Sequence, residues 1–186
     1  MADKFNNYSS YSGTESYKYI EGLINDSKRV LVISPYIDAH YAKFLARSSK
    51  GKEIYVISSS LERGPKEILV GRKANAVVLL LIAIALILGF ALLFMSYFVV
   101  GCTVLIVSVI SLYFAMSDVG ASNIRLKVPA HFVHAKMYIG DGQAIHGSAN
   151  LTYKGMHRNI EHVELTKDPM QLKNLESQFW RLWHSL

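Results

Sequence analysis

The chain has 186 residues, with 20 Lys+Arg against 14 Asp+Glu and a formal net charge of +6. Residues 76–117 carry no charge, so the other 144 residues hold all 34 charges, about 24%, which is ordinary for a folded domain. A wholly disordered chain is excluded, and the single cysteine, Cys102, excludes an intrachain disulfide framework.

In chain order, residues 1–14 are rich in Ser, Asn and Tyr; they lack the apolar core of a secretory signal and are expected to be disordered. Ser12 and Glu15 have the spacing of a capping box, and Tyr17, Ile20, Leu23 and Ile24 mark one face of a first helix. Val30 to Ile33 is a short apolar run, as expected of a strand covered on both faces, and it stops at Ser34-Pro35. Tyr41, Phe44 and Leu45 give a second helix, and Ile54 to Ile57 a second strand. Strand, helix and strand in so short a stretch form a parallel crossover unit.

From Ala76 to Phe94 nineteen residues run apolar except for Gly89, and after Met95, Ser96 and Tyr97 the chain is apolar again to Ser117. Crossing about 30 Å of hydrocarbon takes about 20 helical residues, so two transmembrane spans joined by a tight turn are expected. A buried hairpin in a soluble core fits less well, because core helices are shorter and carry charge on some face. Tyr97 and Tyr113 lie near the ends of the second span, and Ala85 and Gly89 have the spacing that lets helices approach closely. Arg63, Lys66, Arg72 and Lys73 precede the spans and Arg125 and Lys127 follow them, which predicts both flanks on the cytoplasmic side. The chain thus divides into an N-terminal tail (1–14), the first part of a soluble domain (15–73), a transmembrane hairpin (74–117) and the second part of that domain (118–186).

After the hairpin, Ile124 to Val128 reads as a third strand, and Val133 to Ile139 with Gln143 to His146 as a β-hairpin turning at Asp141-Gly142. Ile160 to Leu165 is a further strand. Asp168-Pro169 then caps a last helix with Leu172, Leu175, Phe179 and Leu182 inward. Trp180 and Trp183 are read as packing residues rather than a substrate platform. The fold class is α/β, a mixed sheet flanked by helices and interrupted by the apolar hairpin.

Residues 134–161 hold the chemistry: His134-x-Lys136, Asp141, Gly147-Ser148, Asn150, Asn159 and Glu161. This set resembles the phospholipase D superfamily, marked by His-x-Lys, an Asp five residues on and then Gly-Ser-x-Asn. The resemblance extends to Leu151-Thr152, Asn159-x-Glu161 and, more loosely, Ser34-Pro35-Tyr36. It covers most of the soluble chain and none of the apolar segment. The superfamily usually has six residues between the Asp and the Gly, and here there are five, which a shorter turn at Asp141-Gly142 explains. Asp141 is therefore either a turn residue only or a turn residue with a wider role, and Gly147 and Asn159 are read as structural.

On a strand His134 and Lys136 would share a face, and Gly147-Ser148-x-Asn150 would end the neighbouring antiparallel strand beside them. An imidazole, an ammonium, a hydroxyl and an amide then suit an anionic phosphodiester. The resemblance implies that His134 is the nucleophile, forming a phosphohistidine. Lys136, Asn150 and Ser148 would bind the substrate's phosphoryl oxygens, and Glu161 would orient the imidazole as the third member of a triad does. His131, His146, His157 and His162 match no zinc spacing, so no metal and no cofactor are expected. The reaction also needs an acid for the leaving oxygen. The superfamily supplies it from a second motif, and this chain has one. A homodimer with two facing His134 residues fills the gap, and a different partner chain carrying its own motif is the other possibility.

The small positive excess suits a polyanion or an anionic membrane surface. If the first three strands are parallel, His134 lies near their C-terminal edge and the hairpin leaves from the other edge. That arrangement favours a nuclease acting on cytoplasmic nucleic acid. The alternatives are a lipid enzyme of the cardiolipin-synthase type acting on membrane phospholipid, because an anchor brings an enzyme to lipid, and a catalytically idle membrane scaffold.

Overall fold

The computed structural model describes residues 7–71, 76–117 and 123–186. The chain divides into two compact units, one from residues 1–70 and 122–186 and the other from residues 71–121. The first unit contains strands β1 (Tyr8–Gly13), β2 (Arg29–Ile33), β3 (Glu53–Ile57), β4 (Ile124–Lys127), β5 (Met137–Gly140), β6 (Gln143–Gly147) and β7 (Glu161–Thr166). They form one sheet in the order β1-β7-β6-β5-β2-β3-β4. Strands β2, β3 and β4 are parallel, and the other four pair antiparallel.

Strict alternation along the central strands feeds two cores. Val30, Val32, Ile54 and Val56 face helices α1 (Ser16–Asp26), α2 (Ala39–Ser48), α3 (Arg63–Val70) and the short α6 (Tyr153–His157), where Ile20, Leu23, Ile24, Tyr41, Leu45, Leu69 and Met156 are buried. Leu31, Ile33, Tyr55 and Ile57 face the other way, toward Phe179 of α7 (Pro169–Ser185), with Leu172, Leu175 and Leu182 partly buried around it. A strand covered on both faces has no polar side to show, which is why β2 and β3 read as continuous apolar runs. Trp180 and Trp183 meet the Tyr55 ring edge-on at 4.9 and 5.3 Å, as packing residues. Asp168 caps α7 as expected, accepting from the Met170 and Gln171 amides at 3.0 and 2.9 Å.

The structure corrects the reading of the N-terminal tail. Residues 8–13, expected to be disordered, form β1 and pair with all of β7 from Tyr8↔Thr166 to Gly13↔Glu161. Their composition is that of a tail, but β7 offers an open ladder, and Tyr11 packs against the larger core. Ser12 lies in this strand with its hydroxyl 2.8 Å from His162 Nδ1, so it caps nothing. The start of α1 is held by the Glu15 amide donating to the Tyr11 hydroxyl at 3.0 Å, in place of the expected capping box. Asp38, which sequence reasoning passed over, joins two helix starts: its carboxylate accepts from the Tyr41 amide at 2.9 Å and from the Tyr153 amide at 2.6 Å.

The second unit is an antiparallel pair, α4 (Ala76–Phe94) and α5 (Phe98–Ser117). Ser96 turns the chain with φ of +67°. The helices touch where side chains are missing: a Cβ on Gly89 would meet Leu105 Cδ2 at 2.8 Å, and one on Gly101 would meet Leu93 Cδ2 at 2.8 Å. Outward faces stay apolar, with Ile87, Phe90 and Val107 all exposed. Both helices are long and apolar enough to cross a membrane, with mean hydropathy of 3.3 and 2.4.

The double cap makes a stability prediction. Asp38→Ala leaves two helix-start amides without their acceptor and should cost about 2 kcal/mol. A urea titration followed by the circular dichroism of the sheet domain checks this, and Asp38→Asn should recover part of the loss.

Candidate active site

The strand expected from Val133 begins only at Met137, so His134 and Lys136 lie in an extended segment ahead of β5. One further bond, from the Gly147 amide to the Lys136 carbonyl at 3.3 Å, continues the β5–β6 ladder past the strand's end. Met137 pairs with Ile33, the last residue of β2, which carries residues 134–136 beyond the C-terminal edge of the parallel strands. Ser59, in the loop after β3, pins this segment by accepting from the Val133 amide at 2.7 Å and donating to its carbonyl at 3.1 Å.

The two-residue spacing brings the side chains together without a ladder. Lys136 Nζ lies 3.2 and 3.1 Å from His134 Nδ1 and Nε2 and 3.1 Å from the His134 carbonyl oxygen. Near-equal distances set the ammonium against the ring rather than in line with either lone pair. His134 is exposed, while Lys136 is 8% exposed. Burial lowers the Lys136 pKa, and the nearby Glu161 carboxylate partly opposes that shift.

Gly147 closes β6 with φ of +156°, and a Cβ there would collide with the His162 carbonyl oxygen and come within 2.9 Å of Val163 Cα. The glycine lets β6 approach β7 so closely that Ser148 reaches Glu161. The Ser148 hydroxyl donates to the Glu161 carboxylate and accepts from the His162 amide at 3.0 Å. Asn159 Nδ2 donates to Glu161 Oε1 at 3.0 Å.

Two contacts here differ from those expected. Ser148 has one proton, and here it is directed at Glu161, where the hydroxyl was expected to face a phosphoryl oxygen. Glu161 was expected to accept from the His134 imidazole, but among the described residues no hydrogen bond joins them, and its oxygens are taken by Ser148 and Asn159. Strand alternation could not show this, because Asn159 and Ser148 reach Glu161 from a turn and from the neighbouring strand.

Asn150 lies two residues beyond Ser148, on a segment held by the Leu151 amide donating to Ser34 Oγ at 2.9 Å and by Tyr138 donating to the Ala149 carbonyl at 2.8 Å. Among the described residues its buried Oδ1 has no hydrogen-bond partner. A buried unpaired acceptor is costly, and the donors of the same amide are on Nδ2. No described hydrogen bond ties the Asn150 side chain to His134 or Lys136.

Asp141 is removed from this chemistry. Its carboxylate accepts from the Lys28 amide at 2.7 Å and its own amide donates to Ser27 Oγ at 3.1 Å, fastening the β5–β6 turn to the start of β2. Gly142, with φ of +79°, completes the turn. Among the described residues no three His, Cys, Asp or Glu side chains gather as a metal site. His157 is stacked between Tyr17 and Tyr153 at 4.3 and 4.6 Å, and His146 and His162 lie 3.5 and 3.4 Å from Glu164.

Beside His134 the structure adds two aromatic rings. Phe132 lies 5.9 Å from the imidazole and Tyr36 5.9 Å from Phe132, and both are exposed. Phe132 was missed in the sequence, although an aromatic two residues before His134 shares its side of an extended segment.

The family described as "Cardiolipin synthase, PLD-like domain" matches residues 20–183. Among curated protein sequences nothing matches. Of solved structures, the phospholipase D family member Nuc from Salmonella typhimurium superposes with a TM-score of 0.55 at 17% identity, over 95% of each chain. NucT from Helicobacter pylori gives 0.54 at 13% identity over 96% of each chain. Phosphatidylserine synthase from Haemophilus influenzae gives 0.52 at 12%, over 96% of this chain and 39% of that one. At such identities the likeness is one of fold.

The buried ammonium makes a paired prediction. Lys136→Met keeps the stem and removes the charge, so turnover on a phosphodiester should fall about 10²–10³-fold, while the melting temperature should not drop. The unfolded chain binds more protons than the folded one between the lowered Lys136 pKa and the ordinary 10.5, so Lys136 makes stability rise with pH across that window. Stability titrated against pH should lose this slope in Lys136→Met. In the wild type the alkaline limb of kcat/KM should begin below 10.5.

Proposed function

Because the chain belongs to the phospholipase D-like family, we propose that it is a membrane-anchored phosphodiesterase that works as a homodimer through a phosphohistidine on His134. The observation that carries this reading is the seating of the Lys136 ammonium against the exposed His134 ring. A nucleophile and a cation share one spot at the mouth of the sheet, where a phosphate would bring both into use.

In this mechanism Lys136 and Asn150 hold the non-bridging oxygens as negative charge builds on them. An imidazole nitrogen of His134 attacks phosphorus, and the bond to the leaving oxygen breaks as that oxygen takes a proton from the partner subunit's His134. Water then attacks the phosphohistidine, giving its proton to the partner subunit's His134 and freeing the first imidazole. Ser148 and Asn159 serve by fixing Glu161, whose charge keeps Lys136 protonated.

Nucleic acid is the substrate class favoured. The site opens at the C-terminal edge of β2 and β3, whereas the chain runs to the apolar segment from the end of α3 and returns at the start of β4. The exposed Tyr36 and Phe132 rings beside His134 suit base stacking. Phospholipid is the second reading, favoured by the two apolar helices themselves.

Purified chain should cleave single-stranded DNA or RNA in preference to cardiolipin and phosphatidylcholine. Activity should survive EDTA and leave an acid-labile phosphohistidine that His134→Ala abolishes; preferential cleavage of cardiolipin would move the substrate assignment to lipid. Co-expressed His134→Ala and wild-type chains should give mixed dimers of lowered activity, and a fully active monomer would refute the assembly. Cysteine labelling of intact cells should reach a residue placed at Ser96 and miss one placed at Arg158.

A further inference from the structure

A second polar concavity opens at the edge of the sheet where the parallel strands begin. It has a volume of about 640 Å³ and is lined by Lys28, Arg29, Lys52, Glu53, Asn123 and Arg125, with Gly51 and Ile124. The strand register explains the gathering: Arg29 pairs with Glu53, and Ile54 with Ile124, so the first residues of β2, β3 and β4 meet side by side. His134 lies beyond the other ends of these strands, about 17 Å away for a five-residue strand. The phosphodiester chemistry makes no use of this place.

Its charge is held ready rather than cancelled. Lys52 Nζ donates to the Ile24 carbonyl at 2.9 Å and to the Asn25 carbonyl at the end of α1, which fixes the ammonium without neutralising it. Arg125 donates to the Tyr55 hydroxyl at 2.6 Å, with its guanidinium 5.0 Å from the Tyr55 ring centroid. Lys28 is exposed, and among the described residues its ammonium has no partner. Arg29 is paired with Glu176 at 2.8 Å, and Glu53 is the one carboxylate in the lining. With Glu53 and the Glu176 partner of Arg29 counted, four cations face two carboxylates, so the lining keeps a net positive charge around a cleft the size of a phosphate-bearing headgroup.

We propose that this cleft is a binding site for the phosphate headgroup of an anionic membrane lipid. The chain's own route selects lipid over other phosphates. α3 ends at Val70 after crossing back from the C-terminal end of β3, and the described chain resumes at Asn123, which lines the cleft. Only residues 71–75 separate α3 from α4, and only residues 118–122 separate α5 from Asn123. Five residues reach at most about 18 Å, and Arg72 and Lys73 fall within the first of these links. Cations tethered this closely to a bilayer meet anionic headgroups at high local concentration. The inference rests on the membrane-anchored reading above and adds a lipid site separate from the catalytic one.

Hydrogen exchange of the full chain in nanodiscs tests both readings at once. With about 30 mol% phosphatidylglycerol in phosphatidylcholine, amides of residues 27–31, 51–55 and 123–126 should exchange at least about threefold more slowly than in phosphatidylcholine alone. Lys28→Glu combined with Lys52→Glu should remove the difference and leave phosphodiesterase activity unchanged. Residues 76–117 should be protected in both lipids, and if they exchange freely the anchored reading itself fails. Protection of 76–117 with no phosphatidylglycerol effect overturns the lipid site alone. Equal slowing by millimolar inorganic phosphate, or by a short DNA duplex, in pure phosphatidylcholine overturns it in favour of a free-phosphate or nucleic-acid site.

Discussion

Taking a lysine ammonium out of water is costly unless something nearby compensates, and the His134 end of this sheet is organised around that cost. Lys136 is 8% exposed and Glu161 is 7% exposed, yet among the described residues they form no direct ion pair; each is satisfied by other groups. Glu161 takes hydrogen bonds from Ser148 and Asn159, and that keeps a negative charge in place where it supports the ammonium without capping it. Gly147 is part of the same solution, since only a residue without Cβ lets β6 close on β7 and bring Ser148 to the carboxylate.

Much of this was legible in the chain. Runs apolar on both faces announced β2 and β3, the Asp141-Gly142 pair announced the β5–β6 turn, and Asp168-Pro169 announced the start of α7. The family was legible because His134, Lys136, Ser148, Asn150 and Glu161 keep a recognisable spacing. What the spacing could not tell is which polar atom satisfies which. Ser148 reads equally well as a phosphate donor or as a carboxylate anchor, and the choice depends on how far β6 lies from β7. β1 stayed hidden for a related reason: a polar Tyr-Ser strand has no pattern of its own, and its order comes from the open ladder of β7. Asp38 was overlooked because one of its two partners, the Tyr153 amide, lies more than a hundred residues away.

The parallel and antiparallel halves of the sheet divide the labour. The parallel strands point their beginnings at one edge and their ends at the other, so the loops after β2 and β3 supply Ser34 and Ser59 to hold the segments that carry Asn150 and His134, while the starts of the same strands gather Lys28, Lys52 and Arg125. The antiparallel strands then bring the motif residues back to the first of these edges. One sheet therefore carries two cationic surfaces of different character: one around the buried Lys136, and an open one where Lys28 and Arg125 are exposed.

The place of the apolar pair within the chain has a consequence for how the molecule is made. β3 and β4 are sheet neighbours, but Ile54 and its partner Ile124 are seventy positions apart. Closing a flexible loop of that length costs about 2 kcal/mol more than closing one of ten residues. Antiparallel pairing of α4 with α5 shortens the effective loop by bringing the two ends of the insertion together. Everything synthesised before that pair, through Val70, holds β1, β2 and β3 but none of the His-x-Lys or Gly-Ser-x-Asn residues. A nascent chain therefore acquires the apolar pair before any residue of the His-x-Lys and Gly-Ser-x-Asn set.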